Sequence, residues 1–382
     1  RIEWMVHRGE VRDPGWRMEG IPLFHARSRR RWCVSRKMEL FEPEPCRAVR
    51  TVDSRFYQAK EKGLDEASDP PKTFSSLHLL CRMPTVTLHG GLGNQLFQYA
   101  VGRTLAHKTG AALYLDASSF AEVSDAGVPS RELHLPKFAI QGTVVQRPIQ
   151  ENLLLKGRFK LFGLLRELSS GLGVRVCRVH KDLHAPHCFD PTVLRAPGGV
   201  RLYGYYQSEK YFRSIRGMLR EELTLHKEAS GPNWRWKEQI EETNSVGVHV
   251  RRSDYVDQGW RVPAQYYRCS VRRLLKREKE MHLFFFSDDI GWVKNNVGRV
   301  TPEEFPLENV RCVDCNDGSE PYEDLRLMRR CDHNIIANST LSWWGAWLNQ
   351  NEDKTVLAPA YWIRDRVESL DIVPNRWETV DW

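Results

Sequence analysis

The sequence predicts an α/β protein of two Rossmann-like halves facing a cleft. Three observations predict it. A strand, a glycine turn and a helix follow one another between Thr85 and Lys108 and lead into a second strand. A second α/β unit opens at Ser245, with the junction near 235–245. The residues that carry chemistry fall at strand ends, where open α/β sheets bind their ligands.

Taken in order, Thr85 to Leu88 is a short β-branched strand, and His89-Gly90-Gly91-Leu92-Gly93 is a tight glycine turn. Asn94 is expected to cap a helix reaching about Lys108, because Leu96, Phe97, Ala100, Val101 and Leu105 recur at spacings of three and four. Ala111 to Leu115 reads as the next strand and Ser208 to Leu225 as helical. In the second unit Val246, Val248 and Val250 alternate as a strand, and Pro263 to Met281 is a helix. Leu283 to Phe286 reads as a buried strand and Pro321 to Cys331 as a helix with proline in its first turn. His333 to Ala337 is a strand and Thr340 to Asn349 a helix. The expected organisation is an extension of low order over 1–82, an N-terminal α/β domain over 83–240 on the acceptor side, and a C-terminal Rossmann-like donor domain over 245–382. Met83 would serve as the start of a compact enzyme, and Asp69-Pro70-Pro71 as a linker.

Composition narrows the class. Of 382 residues 41% are hydrophobic and 28% charged, as expected for a globular protein with a sizeable core. The net charge is +8, and residues 1–82 hold 17 Lys/Arg against 12 Asp/Glu, so most of the excess sits there. Arg27-Ser28-Arg29-Arg30-Arg31 is read as a solvated arm, since no aromatic-plus-basic RNA motif or zinc-finger spacing accompanies it; no nucleic-acid partner is expected. No apolar run approaches the roughly 18–20 residues of a membrane span. Leu153 to Leu168 is interrupted by Lys156, Arg158, Lys160, Arg166 and Glu167 and reads as a surface or interdomain helix. The chain begins with Arg1 rather than Met, which leaves room for an upstream segment. Nine cysteines, an odd number, argue against a fully paired disulfide framework, and Cys312-Val-Asp-Cys315 has no second pair at zinc spacing.

Three stretches carry the chemistry. In the first, Gly91, Gly93, Asn94 and Gln95 belong to a strand-to-helix turn where backbone approaches a ligand and a helix N-terminus favours anions. It is neither GxGxxG nor a P-loop, and by itself it fits a structural turn equally well. In the second, His249-Val250-Arg251-Arg252-Ser253-Asp254, a strand ends in two arginines whose guanidinium forks suit phosphate oxygens. Asp254 is placed to hold Arg251 or to act as base, and His249 to fix the network; the bland alternative is a structural histidine and a surface ion pair. In the third, Ser339 and Thr340 form another anion-binding corner, with Asp324 and Asp332 on either side, and a carboxylate there suits the N1 and N2 donors of guanine. Trp343 or Trp344, or both, are expected in the core. No Asp-x-Asp occurs, so arginine rather than a bound cation is the natural stabiliser of a leaving diphosphate.

Together Gly90 to Ala100, Val248 to Tyr255 and Ile336 to Trp347 resemble the α-1,2-fucosyltransferases, glycosyltransferase family 11. Phe286-Ser287-Asp288-Asp289 also fits the pattern, and the resemblance covers roughly Thr85 to Trp362. Ser253 stands where the family often has Gly, and Leu341 where it often has Phe; neither change removes a functional group. The resemblance implies a GT-B-like fold and inverting transfer of L-fucose from GDP-fucose to the 2-hydroxyl of a terminal galactose in a glycan, without metal or other cofactor. It implies Arg251 on the donor diphosphate, Asp324 at the guanine, and Ser339 and Thr340 on the phosphate side. Eukaryotic relatives are typically Golgi membrane proteins and bacterial ones soluble, which sets the expected compartment as Golgi membrane or cytoplasm accordingly. The alternatives are another GDP-sugar or O-fucosyl transferase on the same scaffold, or a non-catalytic GDP-sugar or glycan-binding protein.

Overall fold

A computed structural model describes residues 83–120, 131–146, 179–182, 187–196, 199–253, 255, 259–363 and 371–382. The extension 1–82, the Asp69-Pro70-Pro71 linker and the Leu153 to Leu168 segment therefore lie outside the described residues.

The N-terminal half is built on five parallel strands. They are β1 (Thr85–Thr87), β2 (Tyr114–Asp116), β3 (Thr143–Val145), β4 (Val179–Asp182) and β5 (Arg201–Gly204), in the order β3-β2-β1-β5-β4. Helix α1 (Leu92–Thr109) follows β1, and α2 (Arg216–Glu222) and α3 (Gly231–Glu241) lead towards the second half. That half has β6 (Ser245–Val250), α4 (Ala264–Leu275), β7 (His282–Ser287), α5 (Ile290–Asn295), α6 (Val297–Val300), β8 (Val310–Cys312), α7 (Pro321–Met328), β9 (His333–Ile335), α8 (Thr340–Leu348), β10 (Val356–Pro359) and β11 (Glu378–Val380).

Its six strands are also all parallel, in the order β11-β10-β9-β6-β7-β8. Numbered from β6 outward this is the doubly wound order 3-2-1-4-5-6, whose reversal point lies between β6 and β9. In the first sheet the reversal falls between β1 and β5. Two Rossmann-like halves with ligand crevices at the carboxyl ends of their strands make this a GT-B fold. β6 shows why a continuous apolar run forms a central strand: all six of its residues are buried, since helices cover both faces of a parallel sheet.

Several boundaries differ from expectation. Helix α1 starts two residues before Asn94, and its N-cap is Gly91 in extended conformation with no side-chain cap. Asn94 instead spends its Oδ1 on the Nε2–H of Gln207 at 2.7 Å. Helix α4 stops at Leu275, because the charged run after it turns through Glu280, whose φ is +55°, into β7. The 208–225 segment is two 3-10 turns, Glu209–Tyr211 and Arg213–Ile215, before the short α2. Phe212, with φ −137°, breaks the segment so that Tyr211 and Phe212 both enter the core. Cys312 and Cys315 are free thiols. Among the described residues no helix is long and apolar enough to cross a membrane.

Helix α8 joins the two halves. It belongs to the C-terminal half by sequence, yet Trp343, Trp344 and Trp347 are fully buried in the core around α1. Trp343 and Trp344 lie 4.5 and 5.1 Å from the Phe97 ring, and the Trp344 indole donates to the Gly93 carbonyl at 3.0 Å. Each such indole buries about 150–250 Å², worth at most ~4–6 kcal/mol at ~25 cal/mol per Å². Both tryptophans of the motif are therefore core residues whose work is to fix the start of α8 against the start of α1.

Candidate functional site

Where the two reversal points face one another lies a cleft of about 670 Å³. From the second half it takes His249, Arg251, Asp288, Asp324, Ser339 and Thr340, and from the first half the segment from Gly90 to Asn94 with Tyr205.

Arg251 follows directly on β6. The parallel register pairs Val250 with Ser287, which sets Arg251 beside Asp288. The Arg251 Nη1 lies 3.2 Å from Asp288 Oδ2, and its guanidinium sits 5.3 Å above the Tyr255 ring. The other Asp288 oxygen accepts from the Arg252 amide at 2.8 Å. One carboxylate thus contacts both the strand end and the fork. Asp254 lies outside the described residues. In the sequence the signal for Asp288 is its place just past the end of the strand that neighbours β6.

Arg252 is not on the cleft. It lies 3.7 Å above the Trp292 ring with Nε 3.2 Å from Asp289 Oδ2, since successive side chains leave a strand on opposite sides. Asp289 also caps α5 by accepting from the Trp292 amide at 3.0 Å. Arg252, expected at the donor, packs against Trp292 and Asp289 instead of lining the cleft.

His249 is buried on β6, and its Nδ1 has no hydrogen-bond partner among the described residues. Burial pushes its pKa down to about 4, against the pull of Asp288 and with the help of Arg251. The ring is neutral at ordinary pH, so beside Arg251 it adds no competing charge.

At another part of the wall Asp324 stands in the first turn of α7. Its Oδ1 accepts from Asn316 at 2.7 Å, and Asn316 is tied to Asn233, to which the Cys315 thiol donates at 3.3 Å. Burial pushes the carboxyl up to about 7, opposed by the Asn316 hydrogen bond and aided by Glu323. Asp324 is half-buried, lines the cleft and, when ionised, can accept further hydrogen bonds beside the one from Asn316. Asp332, by contrast, accepts from the amide and hydroxyl of Ser245 at 2.9 and 3.1 Å and stays off the cleft.

Ser339 occupies the N-cap position of α8 without a side-chain cap bond, and Ser339 and Thr340 both line the cleft. Opposite them, Gly90 has φ +78°, a left-handed value that favours glycine. Gly93 is needed for space: a Cβ there would stand 2.5 Å from the Thr340 carbonyl carbon and 2.5 Å from its Oγ1. The first turns of α1 and α8 therefore touch, and residues of both line the same cleft, where the first N–H groups of a helix generally have no partner within it. Gln95 does not line it. Its Nε2 donates to the Gly90 and Glu132 carbonyls at 3.0 and 2.8 Å, and its Oε1 accepts from the His134 and Leu135 amides at 3.0 and 3.1 Å. It pins the glycine turn to the wall carrying His134. Tyr205, Tyr255 and Trp260 also line the cleft, and sequence reasoning gave them no role. Among the described residues no group of three or more His, Cys, Asp or Glu is arranged to hold a metal ion.

The model of the family described as glycosyl transferase family 11 matches residues 196–380, which include Arg251, Asp288, Asp324 and the Ser339-Thr340 corner. The chain is 29% identical over 304 residues to an alpha-1,2-colitosyltransferase of Escherichia coli, covering 77% of this chain and 97% of that protein. It is 29% identical over 295 residues to the O-antigen biosynthesis glycosyltransferase WbnK of the same species, covering 72% and 93%. It is 25% identical over 273 residues to a galactoside alpha-(1,2)-fucosyltransferase 2 of Pongo pygmaeus, covering 69% and 68%.

Proposed function

We propose a reaction for a chain that belongs to glycosyltransferase family 11 and is thereby a glycosyltransferase: transfer of L-fucose from GDP-fucose to the 2-hydroxyl of a terminal galactose, with inversion and without a metal ion. The observation that carries this reading is the Arg251 fork at the end of β6, braced by Asp288 at 3.2 Å and facing two helix N-termini. As the bond from fucose to the diphosphate oxygen breaks, negative charge collects on the leaving GDP. A fixed guanidinium and the N–H groups of α1 and α8 stabilise that charge without having to reorganise. Asp324, in its ionised form, accepts from the guanine N1 and N2 donors and so selects guanine over adenine, which offers no matching pair. The transition state is oxocarbenium-like; the acceptor hydroxyl attacks from the face opposite the diphosphate as the bond to GDP breaks, and its proton passes to a base, for which Asp254 is the candidate.

The test is incubation with GDP-fucose and lactose, followed by linkage analysis of the product. A fucose on the galactose 2-hydroxyl is expected, with full activity in EDTA. Another linkage would overturn the acceptor assignment, and activity lost to EDTA and restored by Mn²⁺ would overturn the metal-free step. A second reading, colitose as the transferred sugar, is favoured by the 29% identity to the colitosyltransferase. Competition between the two GDP-sugars for one acceptor separates them.

A further inference from the structure

A second cavity, of about 380 Å³, lies on the opposite side of the C-terminal sheet from the cleft. Val356 opens β10 and Arg376-Trp377 immediately precede β11, so the cavity sits at the amino ends of these strands, whereas Arg251 and Thr340 sit at carboxyl ends. Four cations line it: Arg216 and Arg220, one turn apart on α2, with Lys354 and Arg376; Glu352 is the one carboxylate on its wall. Arg376 is already engaged, donating to both Glu209 oxygens at 2.6 Å. The Arg220 Nη2 reaches the Asn349 carbonyl at 3.3 Å and Lys354 the Asn351 carbonyl at 2.9 Å, and neither contact brings a negative charge. The Nε–H of Arg216, the Nε–H of Arg220 and the indole N–H of Trp377 are sealed from solvent with no acceptor.

Buried donors without acceptors are rare, because each forfeits its hydrogen bond to water. Three around one cavity, beside an excess of positive charge, suit an acceptor-only anion. The cations feel one another as well as their burial. Desolvation first, then Arg220, Arg216 and Arg376, push Lys354 down to about 8. Arg220 is lowered by burial and then by Arg216 and Arg376.

We infer that this cavity binds a phosphate-class oxyanion, a phosphoryl or diphosphoryl group, independently of the catalytic cleft. A carboxylate brings a single charge in one plane. A phosphate group brings about −1.5 to −2 and acceptor oxygens in several directions, which suits donors converging from α2, from the loop after α8 and from the approach to β11. The group has two sources, a soluble phosphate compound or an anionic lipid headgroup.

The experiment first saturates the protein with GDP, so that Arg251 is occupied, and then titrates inorganic pyrophosphate by calorimetry and thermal shift. In parallel, co-sedimentation is measured with phosphatidylcholine vesicles with and without phosphatidic acid. The same measurements are made on Arg216→Gln/Arg220→Gln and, as a milder change, on Lys354→Gln. Saturable pyrophosphate binding that weakens by about tenfold or more in the double variant, with GDP affinity unchanged, supports a soluble ligand. Retention by phosphatidic acid vesicles alone, lost in the same variants, supports a headgroup. Pyrophosphate and vesicles both failing to bind, or binding equally to the wild type and to both variants, overturns the proposal.

Discussion

The turn after β1 holds three glycines and no ionisable side chain from Gly90 to Gln95, whereas the end of β6 packs His249, Arg251, Arg252, Asp288 and Asp289 within a few residues of two strands. Both turns stand at a sheet's reversal point and face the same cleft. The first contributes backbone N–H groups and closeness; the second contributes charge held by other charge. Such a division lets the charged side be braced deep in a sheet while the uncharged side comes near without a desolvation cost of its own. It also means the two turns should fail differently when altered: the charged one in rate and affinity, the glycine one in fit.

The largest effect is expected on the charged side. Arg251→Lys keeps the charge and loses the fork that can hold Asp288 and, in the proposed reaction, a phosphate oxygen together. Turnover should fall by roughly 10²–10³, the scale of one lost electrostatic donor, while the melting temperature stays close to that of the wild type. Near-normal turnover would remove Arg251 from its place opposite the leaving group.

Next comes Asp324→Asn. Loss of charge-assisted bonds worth about 1.5–3 kcal/mol should weaken GDP binding by roughly 10- to 100-fold. The wild type has a pH signature as well. With its carboxyl raised from an ordinary 3.8 to about 7, Asp324 is protonated in the free protein below that point. Guanine calls for the ionised form, so GDP affinity should fall as pH drops from 8 to 6, and the variant should show no such fall. The stability sign is opposite. A raised carboxyl contributes stability that is fully present below about 3.8 and lost as pH rises through about 7. At pH 8 the ligand-free variant should therefore melt above the wild type, which calorimetry checks. His249, held down to about 4 by burial, adds no inflection between pH 6 and 8.

These two sites also show what a sequence can reveal. Arg251, Ser339 and Thr340 were legible because strand periodicity places each at the end of a strand or the start of a helix, whereas only the family resemblance singled out Asp324 from Asp332; all four line one cleft. The α/β class and most strands were legible for the same reason. Arg252 was misread because two adjacent arginines look alike in sequence, yet alternation along a strand sends only one to the cleft; Trp292, 40 residues further on, takes the other. Asp288 went unassigned because its pairing with Arg251 exists only in the register of β6 against β7. Asn94 and Gln95 were read as ligand contacts from the glycine turn. The structure puts Asn94 on the cleft wall with its Oδ1 accepting from Gln207, and turns Gln95 inward to four backbone partners that no local pattern announces.

On the glycine side the expected effects are smaller and separable. Gly93→Ala drives a Cβ to 2.5 Å from the Thr340 carbonyl carbon, which is backbone and has little room to yield. A loss of about 1–3 kcal/mol is expected, the usual cost of overpacking, read from the denaturant midpoint, with kcat/KM falling as α1 and α8 are pushed apart. An unchanged midpoint would mean that the two helix starts are not in contact.

Gly91→Ala is the subtlest test and the most informative about this turn. Gly91 has φ −73°, which any residue adopts, and a Cβ on it would meet nothing within 4 Å. Neither backbone strain nor packing calls for glycine there, so stability should change by less than about 0.5 kcal/mol. If the turn's purpose is to let backbone N–H groups approach a phosphate, an added methyl still obstructs the ligand, and KM for the donor should rise several-fold with the midpoint intact. Unchanged donor kinetics would show that the diphosphate rests only on the arginine side. The contrast between a turn that supplies closeness and a turn that supplies charge would then reduce to charge alone.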